Sequence, residues 1–247
     1  MMRVDCDGIA AFGRSLKGYR HKRNDDRFII KDLNSGTILM AVSDGMGGHP
    51  GGDIAAEDVI GSLDLISDAA GNEVVSIRSA IDRADVIIRN RVRKSLTLEG
   101  MGATVTAAIL NRQKLWWGHV GDSRLYLLRN NHMCQITKDH SFLHDFIEDG
   151  EISEEEALSH PMAHVLDQCV GCIDAGADHG SFDVKPGDYI LLNTDGLFRV
   201  LSDHQIVSTV SSSRNVTSVV DKLLTLTADN CAPDDTTVVM AHIYDAS

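Results

Sequence analysis

Proline is scarce in this chain, with 4 among 247 residues, and aromatic residues make up only 5%. Few prolines, no internal repeat and no low-complexity tract leave nothing that reads as a linker, so residues 1–247 are expected to form a single domain. No apolar run approaches the roughly 20 residues needed to cross a bilayer. The start, Met1-Met2-Arg3-Val4-Asp5-Cys6-Asp7, lacks the apolar stretch of a signal peptide, which predicts a cytoplasmic protein. Basic residues are also under-represented. Lys and Arg number 23 against 36 Asp and Glu, a formal net charge of −13. That balance repels nucleic acid and anionic membrane, and neither is expected as a partner. No GxxxxGK[ST] is present, which disfavours nucleotide hydrolysis by that route, and no Ser-His-Asp or Cys-His set stands in suggestive context. The cysteines are 5, an odd number at irregular spacing. Free thiols are the simplest reading. Cys169-Val170-Gly171-Cys172 is a lone CxxC among apolar neighbours, expected to be two buried structural thiols rather than a redox pair or half a zinc site.

What is present is a recurring arrangement of carboxylates. Ile38-Leu39-Met40-Ala41-Val42-Ser43 is a short apolar run that reads as a buried strand, and it ends in Asp44-Gly45-Met46-Gly47-Gly48-His49. The glycines allow close backbone approach to whatever the carboxylate faces. Tyr189-Ile190-Leu191-Leu192-Asn193 ends likewise in Thr194-Asp195-Gly196. Asp122 follows Trp116-Trp117-Gly118-His119-Val120-Gly121. Asn24-Asp25-Asp26 and Asp234-Asp235 each stand just before an apolar run. One Asp-Gly is ordinarily a turn. Five such clusters at strand ends point to one shared site. The candidate ligands Asp26, Asp44, Asp122, Asp195 and Asp234 are all oxygen donors, a set that selects Mg²⁺ or Mn²⁺ over zinc or copper. Two such ions can activate water and neutralise charge on a phosphoryl group.

Strand-like segments are predicted at 8–13, 27–32, 37–43, 103–110, 114–120, 124–128, 133–137, 189–193 and 236–243. Short connections at Asn34-Ser35-Gly36, Asn111-Arg112-Gln113 and Asn130-Asn131 read as hairpins. Two helices are expected between residues 53 and 95, divided at Gly71-Asn72, with apolar faces Ala55/Val59/Leu63/Ile66 and Val74/Ile77/Ile81/Ala84/Ile88. A third carries Val216, Val219, Val220, Leu223 and Leu226. Sheet plus an inserted helix pair predicts an α+β layered fold rather than alternating βαβ units. Residues 139–170 differ in character. Ser153-Glu154-Glu155-Glu156 offers a capping box. His140, His144, His160 and His164 are scattered among acids without paired zinc spacing, so a solvated flap at about 142–170 is expected.

Taken in order, these motifs resemble the metal-dependent protein serine/threonine phosphatases of the PP2C (PPM) type, in their bacterial single-domain form. Asn24-Asp25-Asp26 matches N-E-D, Asp44-Gly45-Met46-Gly47-Gly48-His49 is the bacterial D-G-M-G-G-H, and Gly102-Ala103-Thr104 stands for G-T/S-T. Gly121-Asp122-Ser123-Arg124 is G-D-S-R, and Thr137-Lys138-Asp139-His140-Ser141 resembles T-x-D-H-S. Pro186-Gly187-Asp188, Thr194-Asp195-Gly196-Leu197 and Asp234-Asp235-Thr236-Thr237 complete the series. The resemblance implies a four-layer α-β-β-α sandwich, two stacked antiparallel sheets flanked by helix pairs. It implies hydrolysis of phosphoserine and phosphothreonine in proteins by attack of water held between two Mg²⁺ or Mn²⁺ ions. Asp44 would bridge the ions, with the Gly45 carbonyl on one of them. Asp195 and Asp234 would ligate the second ion, and Asp26 would hold metal-bound water with support from Asp25. Asp122, with Asp195, would serve a weaker third ion. Phosphorylated proteins, set by an opposing Ser/Thr kinase, would be the substrates.

Three departures stand out. The family's phosphate-binding arginine lies three residues after a motif glycine, and counting from Gly18 reaches His21. Either Arg20 takes the role through a local shift, with Arg23 two residues beyond His21, or the clamp is weakened. Asp25 replaces a Glu and reaches less far. Met46 stands where animal members carry a histidine proposed as general acid. Two other readings remain beside the leading one, a phosphoprotein-binding pseudophosphatase and a phosphatase of small phosphate esters.

Overall fold

Strands β4 (Ile38–Ser43) and β5 (Val105–Leu110) are buried along their whole length, and that fixes the architecture around them. On β4, Leu39 and Ala41 face one core while Ile38, Met40 and Val42 face another. A strand apolar on both faces must be covered on both. The computed structural model supplies the covers, and it describes all residues except 35, 47–50, 68–70, 154–155, 158–159, 173–175 and 246–247.

One sheet has the order β3-β4-β5-β6-β9, with β3 at Arg27–Asp32, β6 at Lys114–Val120 and β9 at Asp178–Asp183. The other runs β1-β2-β11-β10-β7-β8, with β1 at Met2–Cys6, β2 at Ile9–Leu16 and β7 at Arg124–Arg129. Its remaining strands are β8 at His132–Gln135, β10 at Tyr189–Asn193 and β11 at Thr236–Ile243. Every pairing is antiparallel. Between the sheets lies a core that includes Ile38, Met40, Leu110, Ile190, Leu192 and Val239. Helices α1 (Gly52–Asp64) and α2 (Glu73–Lys94) bury Val59, Leu63, Ile77, Ile81 and Ile88 against the outer face of the first sheet. Val74, expected on that face, is only partly buried.

Residues 144–229 add four more described helices: α3 (His144–Glu148), α4 (Asp195–Phe198), α5 (Asp203–Ser211) and α6 (Val216–Asp229). The last two pack Ile206, Val210, Val219, Val220 and Leu223 on the second sheet's outer face, against Leu191 and Met240. The four-layer α-β-β-α order follows. Each buried Leu or Ile is worth roughly 1.5–3 kcal/mol, so the doubly covered central strands are rigid supports for whatever their ends carry.

Several sequence expectations need adjustment. Strands β1 and β9 were not anticipated, because both are sheet edges with largely exposed residues and no alternating apolar pattern. Asn130 and Asn131 both take left-handed backbone, with φ of 52° and 61°, as a two-residue hairpin turn demands. The Asn34-Ser35-Gly36 turn and the Ser153-to-Glu156 box include residues outside the described set. Even so, Glu156 N–H donates to Ser153 Oγ at 3.2 Å and Ser153 N–H to Glu156 Oε2 at 2.9 Å. Cys169 and Cys172 are not separate thiols but a disulfide. Gly171, at φ +99°, turns the chain tightly enough to bring their Cα atoms to 5.2 Å.

His119 on β6 is fully buried, with Nδ1 2.9 Å from Thr106 Oγ1 and Nε2 3.0 Å from the Lys138 carbonyl. Burial, and the His140 ring 4.8 Å away, push its pKa down to about 4. The unfolded value is near 6.5. The neutral ring therefore contributes stability that is complete above pH 6.5 and is lost as pH falls through 4, roughly 3 kcal/mol in all. Urea unfolding of wild type and His119→Gln at pH 7 and pH 4 should show the larger acid-induced loss in wild type. Equal losses would contradict this account.

Candidate metal centre

Antiparallel pairing gathers the strand-end aspartates. Arg27 at the start of β3 pairs with Ser43 at the end of β4, which places Asp26 beside Asp44. Asn193 at the end of β10 pairs with Val238 near the start of β11, and Thr194 N–H donates to the Thr237 carbonyl at 3.1 Å, so Asp195 and Asp234 come together from the other sheet. Asp122 follows β6. A cleft of about 290 Å³ opens at this end of the sandwich, lined by His21, Asp44, Met46, Thr104, Asp122, His164, Leu166, Asp195 and Asp234.

Each acid is held by its neighbours. Asp44 N–H donates to Thr104 Oγ1 at 3.0 Å and its carbonyl accepts from Thr104 N–H at 2.8 Å. The Thr104 hydroxyl in turn lies 2.7 Å from Ser123 Oγ. Gly45 pairs with Ala103, and a Cβ there would stand 2.2 Å from the Gly52 carbonyl oxygen. The glycine after Asp44 is thus required by close packing of α1's first turn. Gly196 meets the same restriction, 2.1 Å from the Asp235 carbonyl oxygen. Asp26 Oδ2 accepts from Thr237 Oγ1 at 2.6 Å and Thr194 Oγ1 at 2.8 Å. Its Oδ1 is buried with no hydrogen-bond partner, as is Asp195 Oδ1.

The electrostatics of the cluster call for positive charge. Burial, then Asp26, Asp195, Asp122 and Asp234 in turn, hold the Asp44 carboxyl well above the usual range. Asp26 is pushed up to about 8, chiefly by burial and against the help of its two threonines. Burial, followed by Asp195, pushes Asp122 up to about 7, and Asp234 is raised for the same two reasons. Buried carboxylates with unpartnered oxygens fit a hard divalent cation, which would relieve the repulsion and complete their bonding.

Of the residues considered for gripping phosphate, the structure brings His21 to the cleft and not Arg20. Arg20 is exposed and turns to its neighbour, donating from Nε to the Tyr19 hydroxyl at 3.0 Å. It does not line the cleft; His21 does. The physical reason is Asp235, whose Oδ2 sits 3.0 Å from His21 Nδ1 and draws that side chain inward. His21 Nε2 lies 3.4 Å from Asp234 Oδ1, and the hydrogen bond to Asp235 leads in raising its pKa. Arg23 pairs with Asp25 and Asp53 at 3.0 and 2.7 Å instead.

Among the described residues, the three metal-ligating side chains whose ligand atoms all lie within 4.8 Å are His21, Asp234 and Asp235. None of His140, His144, His160 and His164 joins such a group. The flap segment does border the cleft, through His164 and Leu166. Gly47, Gly48 and His49 of the glycine motif lie outside the described residues. Arg199 reaches both Asp122 and Asp195, at 3.5 and 2.6 Å. Sequence reasoning assigned no role to Arg199, Asp235, Thr194 or Thr237. The last three sit inside motifs already noted, while Arg199 carried a weaker signal, its spacing of four residues from Asp195.

Residues 17–232 match the family model for protein phosphatase 2C. The chain is 32% identical over 233 residues to serine/threonine protein phosphatase PstP of Mycobacterium tuberculosis (strain CDC 1551 / Oshkosh), which covers 92% of this chain but only 45% of that protein. The chain thus spans under half the length of that relative. It is 30% identical over 233 residues to a putative protein phosphatase 2C-type of Streptococcus pyogenes serotype M6, covering 91% of this chain and 94% of that one. The crystal structure of the PstP catalytic domain in complex with two manganese ions superposes with a TM-score of 0.85 at 30% identity, covering 96% of this chain and 99% of the other.

Proposed function

The chain belongs to the protein phosphatase 2C family, and from that premise we propose that it is a Mg²⁺- or Mn²⁺-dependent phosphatase of phosphoserine and phosphothreonine in proteins. The observation that carries this reading is the pair of buried, unpartnered oxygens, Asp26 Oδ1 and Asp195 Oδ1, in a cluster of mutually repelling carboxylates at the cleft. The two manganese ions of the PstP catalytic domain support the same assignment.

Asp44, the Gly45 carbonyl, Asp195 and Asp234 would hold the ions. Bound Mg²⁺ or Mn²⁺ supplies Lewis acidity, lowering the pKa of water and offsetting charge on the phosphoryl group. The protein's own groups do the rest. Thr194 and Thr237 fix Oδ2 of Asp26, which leaves the unpartnered Oδ1 as the oxygen that would accept a proton from metal-bound water. His21, braced at Nδ1 by Asp235, would turn Nε2, which lies 3.4 Å from Asp234 Oδ1, to the non-bridging phosphate oxygens. Met46 and Leu166 contribute apolar lining and no proton, so the leaving hydroxyl would be protonated by water or by another group of the cleft.

The test is release of phosphate from p-nitrophenyl phosphate and from a phosphothreonine peptide, with Mn²⁺ and with excess EDTA. Activity should require the metal and be lost with EDTA. Full turnover in EDTA would refute the mechanism. His21→Ala should raise KM for the phosphopeptide about tenfold while kcat changes less, and Arg20→Ala should move neither by more than about twofold. A larger effect at Arg20 would restore that residue as the clamp.

The phosphoprotein substrates are set by a Ser/Thr kinase of the same cell. No helix among the described residues is long and apolar enough to cross a membrane, and we place the enzyme in the cytoplasm, where such substrates are found.

A further inference from the structure

Arg199 caps α4, one helical turn after Asp195, and its side chain is only 14% exposed. Its Nε donates to Asp195 Oδ2 at 2.6 Å. Its Nη2 lies 3.5 Å from Asp122 Oδ2 and donates to the Ala163 carbonyl at 2.7 Å. One guanidinium thus meets a carboxylate from each sheet and the backbone of the flap. Two carboxylates this buried that share one guanidinium are best satisfied by a cation between them. The planar fork of arginine can satisfy both and still donate to a carbonyl, whereas a lysine ammonium would keep the charge without the fork and a mobile ion would have no covalent tether. The nearby His164 Nδ1, 3.9 Å from the same Asp195 oxygen, is 68% exposed and offers no comparable anchor.

We propose that Arg199 is a built-in cation that occupies the space between Asp122 and Asp195, excludes a third metal ion from it, and ties the flap to a metal ligand. It is a positioning residue. It fixes Oδ2 of Asp195, leaving the unpartnered Oδ1 as the oxygen that would meet an ion, and it couples the flap at Ala163 to the state of that carboxylate. The inference rests on the proposed two-ion site, and the test separates the two.

Titration calorimetry with Mn²⁺ should give two sites in wild type. Arg199→Met, which keeps length and removes charge, should gain a third, weaker site, while Arg199→Lys, which keeps the charge, should stay at two. Hydrogen exchange should show the amides of Phe142 and Asp167, which bond within the flap at Val165 and His140, opening about tenfold faster in Arg199→Met. Three sites in wild type, or two in Arg199→Met with unchanged flap exchange, would overturn the proposal, and the wild-type stoichiometry decides even where a variant fails to fold. No Mn²⁺ binding by wild type would instead sink the phosphatase reading itself.

Discussion

Asp44→Asn lowers kcat for phosphopeptide hydrolysis by roughly 10³-fold or more, and at the same time leaves the metal-free protein as stable as wild type or more so. Both halves come from one geometry. Asp44 ends a strand buried along its length, its backbone is locked on Thr104, and its carboxyl faces four other acids. Asn is isosteric and keeps the N–H and carbonyl bonds to Thr104, so the strand and the cleft survive. What disappears is the charge that would bridge the ions. In the metal-free protein that charge is a liability. The carboxyl is held well above its ordinary range, so the folded state binds its proton more tightly than the unfolded chain does. Its contribution to stability is therefore present below the unfolded value near 4 and is eroded as pH rises. Neutral Asn removes that erosion. Thermal melts in EDTA at pH 8 should place the variant at or above wild type, whereas Mn²⁺ should raise the wild-type melting temperature and leave the variant nearly unmoved. An active variant, or one whose melt still responds to Mn²⁺ as wild type does, would remove Asp44 from the centre of the site.

Much of this layout was legible before any coordinates. The buried strands announce themselves by apolar runs, the helices by period, and the site by acids at strand ends. Antiparallel hairpins then bring those ends together without further information. The misses have different causes. Strands β1 and β9 are edges, stabilised by pairing on one side and not by burial, and so carry no pattern. Helix α5 did carry one, Ser202-Asp203-His204-Gln205 before Ile206, and the structure has that capping box in full. Arg199 was hidden for another reason. Its role depends on a distance between two sheets and on the flap, and a spacing of four from Asp195 reads equally as an ordinary surface pair. The choice between Arg20 and His21 was likewise a matter of which side chain turns inward, which Asp235 decides.

Asp235→Ala is expected to cost roughly 3–5 kcal/mol of stability and to impair substrate binding together with it. The carboxylate is 2% exposed and stands at the foot of β11. Its Oδ1 accepts from Gly18 N–H at 2.8 Å, and its Oδ2 from Asp25 N–H at 2.7 Å and from His21 Nδ1 at 3.0 Å. One side chain therefore fastens three points of the loop between β2 and β3, a stretch with no regular structure of its own. Gly18 is pressed so close that a Cβ would lie 2.4 Å from the Asp234 carbonyl carbon. Alanine would strand two backbone donors in a tight place and free His21 from the position in which it lines the cleft. Asn should recover about half of the loss, since its one carbonyl can still accept from Gly18 or Asp25 but not both. Urea unfolding with bound Mn²⁺ gives the stability and initial rates give KM, which should rise in Asp235→Ala at least as far as in His21→Ala. If the alanine variant stays within about 1 kcal/mol of wild type and keeps its KM, the loop is held by something other than Asp235, and His21 owes its place in the cleft to a different partner.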